Sequence, residues 1–210
     1  MSALNNDYST PNAPKEQTRR DNFAVIKESA LLWSPRYKCL RRDVLELLGV
    51  NGPGLRHLLD EKALGDRLFI GVDRDAKAIQ SCQELFHEVP NVTLVKKELV
   101  RLLKSGDPVL NNVGVLNFDT EQGPGKTLDQ ELHTVFMFAN KQFKKLGAFL
   151  LILNSTRAYH NDKVANAEAL ANLLCQHTER PWTPEDVMLG HYRSAERKAD
   201  MFNLHIRFGF

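Results

Sequence analysis

A glycine-rich stretch between two apolar runs constrains the fold of this chain more than any other part of its sequence. The first run, Val44 to Leu48, precedes glycines at positions 49, 52 and 54, and the second, Leu68 to Val72, ends on Asp73. Leucines recur at helical spacing between them, so the predicted order is strand, tight loop, helix, strand and acid. This order is typical of half a nucleotide-binding α/β unit, in which the acid accepts ribose hydroxyls.

Two well-known glycine motifs do not fit this stretch. If Gly52 and Gly54 are the first two glycines of a dinucleotide fingerprint, His57 occupies the place of the third. No Gly-Lys-Ser/Thr follows, so the stretch is not a phosphate-binding P-loop. An ordinary βα turn remains an alternative, because a glycine-rich turn is a weak signal. The residues before the glycines also favour a helix locally, and we interpret Asp43 to Leu48 as a strand because a glycine loop and a new helix follow.

Length and composition indicate one α/β domain. The 210 residues, 42% of them apolar, suit a single packed core, and the net charge of +2 gives no whole-chain argument for nucleic acid. The three cysteines lie far apart in the sequence, which argues against a zinc site and against a disulfide scaffold. No apolar run is long enough to span a membrane and the polar N-terminus lacks a signal-peptide core, so we expect a cytoplasmic protein.

The N-terminal part divides into a tail and a helix. Residues 1–17 are polar and contain two prolines, which predicts a flexible tail before a single domain over residues 18–210 that opens with a helix. A basic run interleaved with Tyr37 follows this helix. Such a run could contact nucleic-acid phosphates and a base, or it could be a solvated connector. The basic residues are Arg36, Lys38, Arg41 and Arg42.

The rest of the chain alternates helices and strands and ends with two adjacent strands. Helices are predicted over residues 76–89, 128–146 and 161–177, and strands over 91–98, 113–118, 148–153, 187–192 and 202–208. The last two strands are joined by a connection too short and too charged for a packed crossover helix, so they must be antiparallel. The predicted fold class is α/β, a doubly wound, mostly parallel seven-stranded sheet with a C-terminal antiparallel β-hairpin.

Five βα units, an acid after the second strand and a terminal hairpin together resemble the class I S-adenosylmethionine-dependent methyltransferases. The resemblance spans residues 36–210 and rests on this architecture and on four short motifs. Glu46 to Gly54 is similar to the glycine-rich first motif of that family, although it is one residue longer than the usual form. Gly71-Val-Asp-Arg-Asp is similar to the second motif.

The resemblance implies S-adenosylmethionine as the cofactor and assigns roles to individual residues. Asp73 would take the ribose hydroxyls, Arg74 would flank the adenine, and Glu98 would lie near the adenine amine. Asn117 and Asp119 fall at the fourth motif, where substrate and methyl donor meet. The residues implied to bind the cofactor are Glu46, Gly49, Gly52, Gly54, Asp73, Arg74, Glu98 and Asn117, and the implied catalytic residue is Asp119.

The fourth motif restricts the acceptor. Methyltransferases that act on exocyclic amines of DNA bases carry Asp/Asn/Ser-Pro-Pro-Tyr/Phe there, and this chain has Asn-Phe-Asp-Thr instead. A catalytic Pro-Cys for attack on cytosine C5 is also missing from the sequence. Asp119 could accept a hydrogen bond from an attacking amine or hydroxyl, or it could be a turn residue. A non-catalytic binding or accessory protein on the same fold is the alternative function, and the missing third glycine and the terminal hairpin disfavour a nicotinamide-dependent enzyme.

Overall fold

The computed structural model describes most of the domain. The described residues are 17, 20–27, 42–49, 51–60, 62, 64–120, 126–155, 163–178, 181–182, 187–193 and 200–208. The predictions for residues 1–16 and for Arg36, Lys38 and Arg41 fall outside this set. Gln17, which we assigned to the tail, has helical conformation, and the division into tail and domain remains a prediction.

Strands and helices alternate along the described part of the chain. The strands are β1 (Asp43–Leu47), β2 (Phe69–Asp73), β3 (Val92–Lys96), β4 (Val113–Thr120), β5 (Phe149–Ser155), β6 (Val187–Arg193) and β7 (Asp200–Phe208). The helices are α1 (residues 20–27), α2 (Pro53–Asp60), α3 (Ala76–Phe86), α4 (Leu99–Lys104), α5 (Lys126–Leu146) and α6 (Lys163–His177), with a 3₁₀ turn at Pro108–Leu110. Among these helices none is long and apolar enough to cross a membrane.

The seven strands form one sheet in the order β3-β2-β1-β4-β5-β7-β6. Strands β1 to β5 are parallel to their neighbours, and β7 runs antiparallel to both β5 and β6. The predicted fold class, including the antiparallel end of the sheet, is confirmed. The reversal follows from the short connection between β6 and β7, which leaves no length for a crossover helix.

The run before the glycine loop is a strand, as predicted, despite its helix-forming leucines. Strand β1 pairs with β2 on one side and with β4 on the other. Val44 and Leu45 are both fully buried, so the strand is covered on both faces. A parallel strand in this position favours a continuous apolar run rather than an alternating one.

Two hydrophobic cores lie on opposite faces of the sheet. Val44 and Val115 belong to the core formed with α1, α2 and α3, which we call the α1–α3 face. Leu45 and Leu116 belong to the core formed with α4, α5 and α6. Neighbouring strand residues point to opposite faces, so the side of each strand residue follows from its parity.

Several element boundaries differ from the predictions by a few residues, and three of these differences lie near the candidate site. Strand β3 ends at Lys96, because Glu98 already occupies the N-cap position of α4, a six-residue helix that we did not identify from the sequence. Helix α3 ends at Phe86 rather than at residue 89. Strand β4 continues to Thr120, so Asp119 lies inside the strand and not in a turn.

Arg42 cannot contact nucleic acid as the sequence led us to consider. Its side chain is 2% exposed, and Nη2 donates a hydrogen bond to the Leu146 carbonyl over 2.8 Å. Its aliphatic part covers Gly114, where an added β-carbon would lie 2.8 Å from Cδ of Arg42. The prediction for this residue is therefore wrong, because the guanidinium binds the negative end of helix α5 inside the protein.

Helix α1 is anchored at both ends to distant parts of the domain. Near its start, the Asn22 side-chain oxygen accepts hydrogen bonds from Asn203 over 2.7 Å and from His205 over 2.8 Å, both on β7. Near its end, Arg67 donates to the Ile26 carbonyl over 3.3 Å. The helix therefore spans the face of the sheet from β7 to the segment before β2.

Candidate active site

The carboxyl ends of β1, β2 and β4 bring the predicted acids to one edge of the sheet. Glu46 on β1 lies opposite Gly71 on β2 and opposite Asn117 on β4. The β1–β2 ladder continues past the strand, since Leu48 N donates to the Val72 carbonyl over 2.9 Å. Two residues further on, Asp73 and Asp119 therefore flank Leu48, about 10 Å apart across two strand spacings.

These polar residues emerge on the same face. Val44, Phe69 and Val115 contribute to the core on the α1–α3 face, and residues at even spacing from them point the same way. The glycine loop and helix α2 lie on this face as well. The predicted residues that this geometry brings together are Glu46, Asp73, Asn117 and Asp119.

Glu46 is a buried support of the glycine loop. Its side chain is 7% exposed, and Oε2 accepts a hydrogen bond from Asn117 Nδ2 over 3.1 Å. A β-carbon added to Gly54 would overlap Oε1 of Glu46. The carboxylate thus lies against the first turn of α2, where the partial positive charge of the helix N-terminus favours an anion.

Gly52 is held against helix α3. It has a φ of +50°, and the preceding Asn51 has a φ of +66°, a conformation that asparagine tolerates better than most residues. Gly52 N donates to the Gly49 carbonyl over 3.0 Å. A β-carbon added to Gly52 would lie 3.0 Å from both Cys82 Sγ and Phe86 Cε2, so any other residue there would require these two side chains to shift.

Gly49 differs from the other two glycines. Among the described residues, an added β-carbon there would meet Pro53 Cδ alone, at an ordinary distance of 3.8 Å. Gly49 also lies outside the left-handed region of backbone conformation. Protein packing therefore does not require a glycine at this position, and the space beside it suits the close approach of a ligand to the backbone.

Asp73 ends β2 beside this loop and is partly buried. Its Oδ1 accepts a hydrogen bond from Asp75 N over 2.8 Å, and burial raises the pKa of its carboxyl above the ordinary value, against the lowering effect of that hydrogen bond. A carboxylate offers about four acceptor positions, so Asp73 retains capacity for ligand hydroxyls. The neighbouring Arg74 is exposed.

Glu98 and Asp119 are both exposed at this edge. The Glu98 carboxylate forms an ion pair with Arg101 Nε over 3.0 Å. Two residues earlier, Lys96 of β3 lies opposite Asp73 of β2 in the strand register. Asp119 lies opposite Asn154 of β5. The structure therefore places Glu98 beyond Asp73, at the outer end of the site, and Asp119 on the opposite side of the glycine loop.

Two residues of α3 that contact the loop were not identified from the sequence. Ser81 Oγ donates to Asn51 Oδ1 over 2.6 Å, and Cys82 Sγ donates to the Gly49 carbonyl over 3.8 Å. The only signal in the sequence was that Cys82 and Phe86 are four residues apart on a predicted helix after the glycine loop, which places them on the same helix face. In the described part of the chain, no three histidine, cysteine or acidic side chains are grouped in a way that could hold a metal ion.

Comparison with known proteins relates the fold to solved methyltransferases. No family model matches the sequence, and no curated protein matches it significantly. The structure is similar to the N-methyltransferase NodS from Bradyrhizobium japonicum WM9, with 12% identity over 95% of this chain and 99% of that chain and a TM-score of 0.57. The same protein in complex with S-adenosyl-L-homocysteine matches with 10% identity over 92% of this chain and 88% of that chain and a TM-score of 0.50.

A second solved protein carries the cofactor itself. Magnesium protoporphyrin IX methyltransferase from Synechocystis PCC 6803, with bound S-adenosylmethionine, shares 14% identity over 91% of this chain and 78% of that chain, with a TM-score of 0.56. Identities this low establish the fold and nothing finer. The chain has the fold of the class I S-adenosylmethionine-dependent methyltransferases, as the sequence predicted.

Proposed function

We propose that this chain is an S-adenosylmethionine-dependent methyltransferase. The observation that carries the proposal is the position of Asp73 at the end of β2, beside an open Gly49, on the carboxyl edge of a sheet with this strand order. Open α/β sheets bind their ligands at this edge. Solved neighbours with the same fold contain S-adenosylmethionine or S-adenosyl-L-homocysteine, which supports the choice of cofactor.

The residues of the site fit this cofactor. Gly49 leaves room for the cofactor beside the backbone, and the partly buried Asp73 carboxylate accepts hydrogen bonds from ribose hydroxyls. Arg74 and Glu98, both exposed beyond Asp73, flank the adenine. Glu46 and Gly54 support the loop, since the Glu46 carboxylate packs against Gly54 in the first turn of α2.

Asp119 is the residue that interacts with the methyl acceptor. When bound, the cofactor supplies a methyl group on a positively charged sulfur, and the protein has to place a nucleophile against that methyl group. Asp119 is exposed about 10 Å from Asp73, on the far side of the glycine loop. Its carboxylate accepts a hydrogen bond from the attacking amine or hydroxyl and receives the proton.

The environment of Asn117 favours an acceptor other than the exocyclic amine of a DNA base. Enzymes that methylate such amines orient the amine with the first side chain and a backbone carbonyl of the fourth motif. Here Asn117 is 7% exposed and its amide donates to Glu46. The side chain is thus occupied within the protein, which argues against methylation of such an amine.

Calorimetry with S-adenosylmethionine and S-adenosyl-L-homocysteine tests the cofactor. We expect micromolar dissociation constants, about −7 to −8 kcal/mol, and a loss of about 1.5–3 kcal/mol in the Asp73→Ala variant because hydrogen bonds to a charged group disappear. Asp60→Ala is the matched control, since Asp60 is exposed at the last residue of α2, away from the carboxyl edge. Absence of binding by the wild-type protein at millimolar cofactor contradicts the proposal.

Transfer is tested separately from binding. The protein is incubated with S-adenosylmethionine that carries a labelled methyl group and with fractionated small molecules and proteins. Label should enter one acceptor class with the wild-type protein, and less label should enter it with Asp73→Ala at a cofactor concentration near the wild-type dissociation constant. If both cofactors bind and no fraction is labelled, the result favours the accessory-protein alternative.

A further inference from the structure

Helix α3 contacts the glycine loop at three points. Ser81 Oγ donates a hydrogen bond to Asn51 Oδ1 over 2.6 Å. Cys82 Sγ donates to the Gly49 carbonyl over 3.8 Å. Cys82 and Phe86 also press against Gly52, where each would lie 3.0 Å from an added β-carbon. One helix face therefore follows the loop from Gly49 to Gly52.

The loop conformation needs such support. Asn51 and Gly52 are consecutive residues with positive φ, of +66° and +50°. Glycine adopts this region freely, whereas for Asn51 the conformation carries a cost and persists where the surrounding structure holds it. A loop without that support exchanges between conformations, and a ligand must then order it on binding.

We propose that Ser81 and Cys82 are positioning residues for the cofactor, acting through Asn51 and Gly49 of the glycine loop. The inference rests on the proposed function of the site. Neither side chain needs to touch the cofactor, since each fixes a loop residue that borders the cofactor space. Their contribution is to reduce the conformational entropy that the loop loses when the cofactor binds.

The chemistry of Cys82 agrees with a donor role. Its side chain is fully buried, and burial, followed by the charge of Asp73, raises the pKa of the thiol to about 11. The thiol therefore carries its proton at neutral pH and can donate it to the Gly49 carbonyl.

Titration of S-adenosyl-L-homocysteine into variants at position 81 tests the inference. Ser81 is partly exposed, so Ser81→Ala should fold with a melting temperature close to that of the wild-type protein. Loss of one hydrogen bond from the loop should weaken binding about three- to tenfold, and Ser81→Thr, which keeps the hydroxyl, should restore it. Ser105→Ala is the matched control, because this serine hydroxyl bonds the Leu102 carbonyl at the far end of α4 and should leave affinity unchanged.

A double-mutant cycle tests whether Ser81 affects cofactor binding through its hydrogen bond to Asn51. Asn51→Gly removes the acceptor of Ser81 while glycine keeps the positive φ at no steric cost. If Ser81 acts through Asn51, the double variant Ser81→Ala/Asn51→Gly should bind no more weakly than the weaker single variant.

Two results overturn the inference while leaving the proposed function intact. One is wild-type affinity in Ser81→Ala, and the other is full additivity of the two substitutions. Failure of the wild-type protein itself to bind S-adenosyl-L-homocysteine refutes the proposed function, and the inference with it.

Discussion

Asn117 on β4 donates a hydrogen bond to the carboxylate of Glu46 on β1 over 3.1 Å, and each of these side chains is 7% exposed. The bond joins two central strands directly below the glycine loop. Both groups are buried, so the loss of this hydrogen bond would take one partner from a polar group on each strand. The same hydrogen bond therefore contributes to the stability of the protein and to the shape of its candidate site.

Truncation of the Glu46 side chain to alanine should destabilise the protein more than its replacement by the neutral glutamine. Glu46→Ala takes away the acceptor of the buried Asn117 amide, which should lower the free energy of unfolding by about 1–3 kcal/mol. Glu46→Gln keeps an oxygen for Asn117 and should cost less. Urea denaturation of both variants measures the difference, and equal losses would show that the hydrogen bond to Asn117 does not matter.

Alanine substitution should have different effects at two glycines of the loop: it should lower stability at Gly54 and ligand affinity at Gly49. Gly54→Ala should lower the melting temperature, because its β-carbon would overlap the Glu46 carboxylate and force this buried group away from its hydrogen bond with Asn117. Gly49→Ala should leave the melting temperature nearly unchanged and weaken S-adenosyl-L-homocysteine binding, because its β-carbon enters the space assigned to the ligand. Thermal melts and calorimetry compare the pair.

Gly65→Ala serves as the control for backbone strain in this comparison. Gly65 has a φ of +61° and open space around it, so alanine should cost about 1 kcal/mol through conformation alone. A Gly54→Ala protein as stable as Gly65→Ala would contradict the predicted overlap. Unchanged ligand affinity in Gly49→Ala would show that the ligand does not approach this glycine.

The protein should lose stability on acidification through His205. Burial, and then the nearby Arg207, lower the pKa of this histidine to about 4, partly opposed by Asp21. The unfolded chain, with a histidine pKa of about 6.5, binds more protons than the native state between these values. The free energy of unfolding should therefore fall as pH decreases from about 6.5 to 4, by up to about 3 kcal/mol.

Urea denaturation across this pH range measures the effect. His205→Gln should flatten the curve, whereas His87→Gln, at an exposed histidine, should preserve it. The other group that faces His205 from α1 is the neutral side chain of Asn22, which does not titrate in this range. A wild-type curve that is flat from pH 6.5 to 4 would contradict the lowered pKa.

Asp119→Asn separates catalysis from structure. The exposed carboxylate lies within β4, so asparagine of the same size should leave the melting temperature nearly unchanged. If the carboxylate receives a proton from the acceptor, methyl transfer should fall about 100-fold or more, with cofactor affinity preserved. Full transfer activity in an equally stable variant would exclude a catalytic role for the charge.

The sheet was largely predictable from sequence, since apolar runs and turn residues are local signals. The continuous run Val44 to Leu48 and the alternation over residues 202–208 were sufficient to predict a buried central strand and an antiparallel edge. Helix α4 was missed because six residues are too few to show a helical period. The position of Asp119 inside β4 was missed because Asp-Thr before glycine and proline also favours a turn.

The supports of the site were not predictable, because they depend on contacts between segments distant in sequence. Glu46 and Asn117 are 71 residues apart, and Ser81 reaches Asn51 across 30 residues. Arg42 was misassigned for the same reason, since its basic neighbours in the sequence suggest a surface patch while its partner is the Leu146 carbonyl. The individual roles of the site residues remain predictions, as does a cytoplasmic location.

The attachment of α1 to β7 determines when the domain can be completed during synthesis. Asn22 and Asn203 are separated by 181 residues, so the first described helix forms a polar contact with the last described strand. At about 5–20 residues per second, a ribosome takes about 10–35 s to make the chain between them. Throughout that time Asn22 has no strand to bond, and the nascent chain cannot close this face of the sheet until β7 has been translated.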